Sequence, residues 1–87
     1  MRFSELSPKL ADSSRPGEEG IKRLYFLCPK CREHKISIPV GTVMRASPPI
    51  WLYEGELENL TIKPSIDAKT PPCHWHGFIT NGLVTTC

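Results

Sequence analysis

Hydrophobic positions along the chain recur with period two or in short unbroken runs, and seldom at the three-to-four spacing of a helix. Ile21 to Leu27 carries the run Leu24-Tyr25-Phe26-Leu27, the pattern of a strand covered on both faces. Lys35-Ile36-Ser37-Ile38-Pro39-Val40 alternates apolar and polar residues. That alternation predicts a half-buried strand, with Pro39 at an edge or an end. Pro49 to Tyr53 and Leu60 to Lys63 are two further strand candidates, separated by turn chemistry at Glu54-Gly55-Glu56. Gly77 to Thr80, Asn81-Gly82 and Leu83 to Thr86 predict a hairpin, because Asn-Gly accepts the positive φ that a type I′ turn requires at both central positions. No segment joins helical periodicity to caps. The expected class is all-β. A single domain over residues 21–87 follows an irregular arm over residues 1–20, whose Asp12 to Gly20 stretch is polar and turn-forming.

Composition adds one requirement to this picture. An 87-residue chain with nine prolines and six glycines buries a modest core, and small domains usually need a staple. The formal charge of +2, from 11 basic and 9 acidic side chains, does not demand a nucleic-acid partner. No apolar run approaches the roughly 20 residues that span a membrane. Met1 to Leu10 intersperses Arg2, Ser4, Glu5 and Lys9 among its apolar positions, unlike a secretory leader. The expected location is therefore cytoplasmic, with thiols reduced. The four cysteines read as metal ligands or reactive thiols before they read as disulfides.

Two short motifs carry the candidate staple. Cys28-Pro29-Lys30-Cys31 directly follows the first strand, and Cys73-His74-Trp75-His76-Gly77 repeats its spacing with an imidazole in the last place. Cys-x-x-Cys lets a tight turn aim two thiolates at one point. With Cys28, Cys31, Cys73 and His76 the set is Cys3His, a closed structural zinc site on two knuckles of the zinc-ribbon kind. Gly77 stands where such a turn favours left-handed backbone, whereas Arg32 holds the matching place in the first knuckle. His74 is an alternative to His76, and His34, at a strand start, is another. A thioredoxin-like redox pair at Cys28 and Cys31 would need a βαβ context that the pattern lacks. A Rieske cluster needs a histidine in each box, and Lys30 stands where the first would be. A mononuclear iron remains compatible with the donor types. Cys87 has no spaced partner and reads as a free thiol.

The downstream half resembles a family of small bacterial and phage proteins. The residues that carry the likeness are Leu60-Thr61-Ile62-Lys63-Pro64-Ser65-Ile66, a short linker, Cys73-x-x-His76, an aromatic and apolar strand, and Asn81-Gly82. The family has a paired-cysteine segment upstream, a Pro-Ser-Ile segment and a Cys-x-Ser-His-aromatic box. Some members lie beside genes for bacterial ubiquitin-like conjugation, with a proposed peptidase or deconjugating role. Others look like stand-alone phage proteins, which the Pro/Ser-rich N-terminal arm here suits. The likeness covers roughly Leu24 to Thr86 and implies a ubiquitin-like protein, or another protein, as partner. This chain departs from the pattern at Trp75, where members commonly have serine, and at Gly77 and Phe78, which replace an aromatic pair; Ser65 is kept.

Two classes of function follow. In the enzyme class Ser65 is a nucleophile, which needs a base within reach and a third group to orient that base. With His76 on the metal, His74 and His34 are the histidines left, and Asp67 shares a strand face with Ser65. The competing role of Ser65 is to cap a turn after Pro64. A catalytic zinc would keep an open position, which four ligands do not leave. In the binding-module class, Lys22, Arg23, Lys30, Arg32 and Lys35 flank the first knuckle, and Tyr25, Phe26, Trp51, Tyr53 and Trp75 are candidate stacking platforms for single-stranded nucleic acid or a protein surface.

Overall fold

A computed structural model describes residues 1–46, 48–69 and 73–87. Eight strands form one sheet: β1 (Lys9–Asp12), β2 (Lys22–Leu27), β3 (Lys35–Gly41), β4 (Arg45–Ala46), β5 (Pro49–Glu54), β6 (Thr61–Ala68), β7 (Trp75–Thr80) and β8 (Leu83–Thr86). Single turns of 3-10 helix at Phe3–Leu6 and Leu57–Asn59 are the helical elements among the described residues. The spatial order is β1-β2-β3-β5-β6-β7-β8, with β4 paired to β5 off this path. Neighbours run antiparallel except β3 and β5, which meet in parallel at Val40↔Trp51 and Gly41↔Leu52. Pro39 sits inside β3 just before that pairing begins, where its missing N–H faces no partner on the β5 side. The all-β expectation holds, and so does the Asn-Gly hairpin: β7 and β8 pair from Thr80↔Leu83, with Asn81 at φ 49° and Gly82 at φ 77°.

Strand alternation builds the core. Leu24 and Phe26 of β2, Ile36, Ile38 and Val40 of β3, Ile62, Ile66 and Ala68 of β6, Trp75 and Ile79 of β7, and Val84 of β8 all point inward. Phe26 packs edge-on against both Phe3 and Trp75, with ring centroids 5.2 and 6.2 Å apart.

The expected irregular arm is corrected over its first half. Phe3 and Leu6 are fully buried in the core, and β1 pairs with β2 from Lys9↔Tyr25 to Asp12↔Lys22. The same segment closes the far side of the sheet. Phe3 N–H donates to Gly82 O (2.8 Å), Val84 N–H donates to Met1 O (2.8 Å), and Arg2 bridges Leu83. A stretch of a few residues thus touches β8 at one end and continues into β1 at the other, so the sheet rolls toward a barrel and the β8 edge is covered. Residues 13–20 remain a loop. Glu18 from this loop pairs with the buried Arg23 at 3.2 Å, and Arg23 also donates to the Ser37 hydroxyl at 2.8 Å.

β6 carries an irregularity that positions the site. Ile62 faces Ile79 and Ile66 faces Gly77, so four steps along β6 match two along β7. The excess is taken up as a bulge over Lys63, Pro64 and Ser65, with a cis peptide between Lys63 and Pro64. Bulges re-aim side chains and recur beside functional sites.

Candidate metal centre and serine–histidine pair

The first cluster stands where β2 ends. Arg32 N–H donates back to Cys28 O (2.8 Å) and Cys28 N–H donates to His34 O (2.9 Å), which folds residues 28–34 into a knuckle with Arg32 at φ 57°. This turn carries Cys28, Cys31 and His34, and Cys73 arrives from the segment that leads into β7. One donor atom from each lies within 4.8 Å of the other three. The sulfurs of Cys28 and Cys73 are 3.3 Å apart, and His34 Nδ1 is 3.0 Å from Cys31 Sγ and 3.9 Å from Cys73 Sγ. All four cysteines are free, and separations of this size are the edges of one small tetrahedron rather than disulfide lengths. The thiols differ sharply in acidity. N–H donation from Glu33, then from His34, brings Cys31 down to about 6, whereas burial and the neighbouring Cys28 and Cys31 push Cys73 up to about 12. Crowded thiols cannot all ionise unaided, and a divalent cation at their centre would permit it. The donor set therefore fits a metal ion.

The donor atoms that the structure brings together include His34 and not the expected His76. Trp75, Gly77 and Ile79 face inward on β7, so His74 and His76 face outward, on the opposite side of the chain from Cys73. A Cys-x-x-His knuckle needs a turn, and here the chain is already strand at Trp75. Gly77 accordingly does not adopt left-handed backbone. Its missing side chain makes room instead, since a Cβ would collide with Thr85 O and stand 2.6 Å from Trp75 Cζ2. Trp75 is core, with its indole N–H donating to Thr86 Oγ1 at 3.0 Å.

The second cluster lies on the outer face of β6 and β7. Ser65 Oγ is 3.1 Å from His76 Nε2. Asp67 stands opposite His76 in the ladder, and its carboxylate is hydrogen-bonded to His74 Nε2 and 3.7 Å from Lys69 Nζ. The hydrogen bond from His74 is the main cause that holds Asp67 below the ordinary carboxylate value, and the charges of Lys69 and His76 add to it. Cys87 N–H donates to His76 O at 2.9 Å, so the His76 backbone is turned toward β8. Asp67↔His76 is therefore a non-hydrogen-bonded pair, the kind whose side chains approach most closely. Ser65 is fixed from below, where the Trp51 indole N–H donates to its carbonyl at 3.1 Å. The structure thus brings Ser65 to His76 and gives His74 to Asp67. A cavity of about 360 Å³ is lined by His74 and His76 together with Lys30, Trp75, Thr86 and Cys87.

Four of the ten basic and aromatic groups of the binding-module reading are engaged within the fold, while Lys30, Arg32 and Lys35 stay exposed. Arg23 is buried against Glu18 and Lys22 pairs with Asp12 at 2.8 Å, while Phe26 and Trp75 are interior.

Residues 3–87 match the family model described as the bacterial ubiquitination-like system serine protease (BubE), and the chain belongs to that family. No curated protein and no solved structure matches it. No helix among the described residues is long and apolar enough to cross a membrane.

Proposed function

We propose that the chain is a zinc-stapled serine peptidase that processes or deconjugates a ubiquitin-like protein, with Ser65 as nucleophile and His76 as general base. The observation that carries this reading is the 3.1 Å contact between Ser65 Oγ and His76 Nε2 in a chain of the serine protease family. His76 Nε2 accepts the hydroxyl proton as Ser65 Oγ attacks the scissile carbonyl carbon, then returns it to the leaving amine; water releases the acyl group by the same route. Asp67 opposes His76 across the ladder, and its negative charge favours the imidazolium formed midway. His74 holds that carboxylate in place and is a supporting group, since its ring nitrogen is engaged with Asp67 and not with Ser65.

Cys28, Cys31, Cys73 and His34 would hold zinc, whose preference for tetrahedral thiolate and imidazole ligands suits the set, and whose role there is structural. Reduced thiols of this kind fit a cytoplasmic location. A fluorophosphonate probe, which modifies an activated serine, tests the reading together with cleavage of a ubiquitin-like fusion. Wild type should be labelled at Ser65 and should cleave, and Ser65→Ala and His76→Ala should lose both by at least about 10³-fold while keeping their fold. Equal labelling or cleavage by wild type and Ser65→Ala would refute Ser65 as nucleophile.

A further inference from the structure

We propose that the outer half of β6 receives the substrate as an added, extended strand, with an aliphatic side chain seated in the cavity beside Trp51. This rests on the peptidase reading above and names the class of peptide that the same site takes.

Two observations meet at Ser65. The first is an open sheet edge. β5 pairs with β6 only from Thr61 to Lys63 before it diverges toward β3 and β4. Among the described residues, Ile66, Asp67 and Ala68 pair with β7 alone. The direction of their backbone groups follows from two hydrogen bonds. Ser65 O accepts from Trp51 on the β5 side, and His76 O is turned away from β6 toward Cys87. The N–H and C=O of Asp67, two residues on from Ser65, therefore point out of the open edge. An unpaired edge of this kind binds extended peptide through main-chain hydrogen bonds.

The second observation is the cavity. An open groove of about 470 Å³ is lined by Met44, Ala46, Pro49, Ile50, Trp51 and Pro64, with Arg45 as its one charged residue. Its walls are mostly apolar, the Arg45 guanidinium is held by the Pro48 carbonyl at 3.0 Å, and Met44 on its lining leaves about half of its surface in water. Trp51 joins the two features, since its ring forms a wall of the cavity while its N–H grips the Ser65 carbonyl. A peptide strand laid along Asp67 would project alternate side chains toward this cavity, next to the hydroxyl that attacks. The occupant is thus an extended segment with a leucine-like residue beside the scissile bond; a folded helix would not present its backbone to the edge.

The test uses full-length Ser65→Ala protein and capped hexapeptides of alanine and threonine that carry either one leucine or one serine at the same position. Binding is read by fluorescence anisotropy and by amide and indole NMR shifts. The leucine peptide should bind at least tenfold tighter than the serine peptide, with shifts at Asp67 N–H and the Trp51 indole. Met44→Asp, at a half-exposed rim position, should erase that preference and leave the serine peptide unchanged. Equal binding of the two peptides, no binding at millimolar concentration, or shifts confined to the cavity lined by Lys30 and Cys87 would overturn the proposal. Fluorophosphonate labelling of wild type separates the underlying reading: absence of labelling with leucine-selective binding kept overturns the peptidase and supports the groove.

Discussion

Exchanging each of two histidines for alanine separates the two clusters. His34→Ala leaves three thiols around an incomplete tetrahedron. Loss of a mere outer-shell partner weakens metal sites by about 10–100-fold, so loss of a ligand belongs at or above the top of that range. At fixed free zinc, a hundredfold weaker site lowers stability by about 2.7 kcal/mol. In a domain of this size that is a fall in melting temperature of about 10–20 °C. Removing the metal should erase that difference. His34 Nε2 is buried with no hydrogen-bond partner among the described residues, a condition that costs about 1–3 kcal/mol. Alanine relieves that penalty, so in chelator the two chains should converge. His76→Ala should behave oppositely. The side chain is on the outer face and its loss removes the hydrogen bond to Ser65, worth about 1 kcal/mol, with metal content unchanged. The assay is zinc per chain by elemental analysis, with thermal melts in a zinc buffer and in chelator. If His34→Ala keeps one equivalent and melts with wild type, or if His76→Ala loses its zinc, the ligand assignment is wrong.

Three further outcomes test the fold around the site. Phe3→Ala should cost about 3–5 kcal/mol in denaturant unfolding, as for a buried aromatic; a loss near zero would return the N-terminal segment to a solvated arm. Gly77→Ala should destabilise by about 1–3 kcal/mol or more, because the added Cβ meets backbone at Thr85 and the Trp75 ring; a neutral melt would contradict the packing of Trp75 over β7. Asp67, held below its ordinary 3.8 by His74, should contribute stability that is present above that value and lost as pH falls through its depressed folded value. Asp67→Asn should remove that acid-limb dependence from the unfolding curve, and an unaltered acid limb would show that the pair does not form.

Much of the fold was legible because it is locally encoded. Period-two alternation marks β3, and Asn81-Gly82 fixes the β7–β8 hairpin through backbone geometry alone. What escaped depends on distant partners. Phe3 and Leu6 lie in a short segment without periodicity of its own, and they are buried because the rolled sheet needs closing against Gly82 and Val84. β6 runs on to Ala68 past Pro64, since the bulge absorbs a residue pattern that reads as a strand end.

The histidine exchange has one cause, and it links the two clusters. Cys73-x-x-His76 has the spacing of a metal knuckle, but the hairpin sets the phase of β7: Ile79 inward requires Gly77 and Trp75 inward, and therefore His76 outward. The parity that takes His76 from the metal brings it to Ser65. A slip of one residue along β7 would exchange Trp75 with His76, placing an imidazole in the core and removing the base from the hydroxyl. Cys73 shares the inner side with Trp75 and is tied to Cys28 and His34 at the end of β2. A metal held by Cys28, Cys31, His34 and Cys73 would tie the start of β7 to the end of β2 in the register that sets Ser65 and His76 at hydrogen-bond distance, and a change in that register would appear as lost serine labelling before it appeared as lost fold.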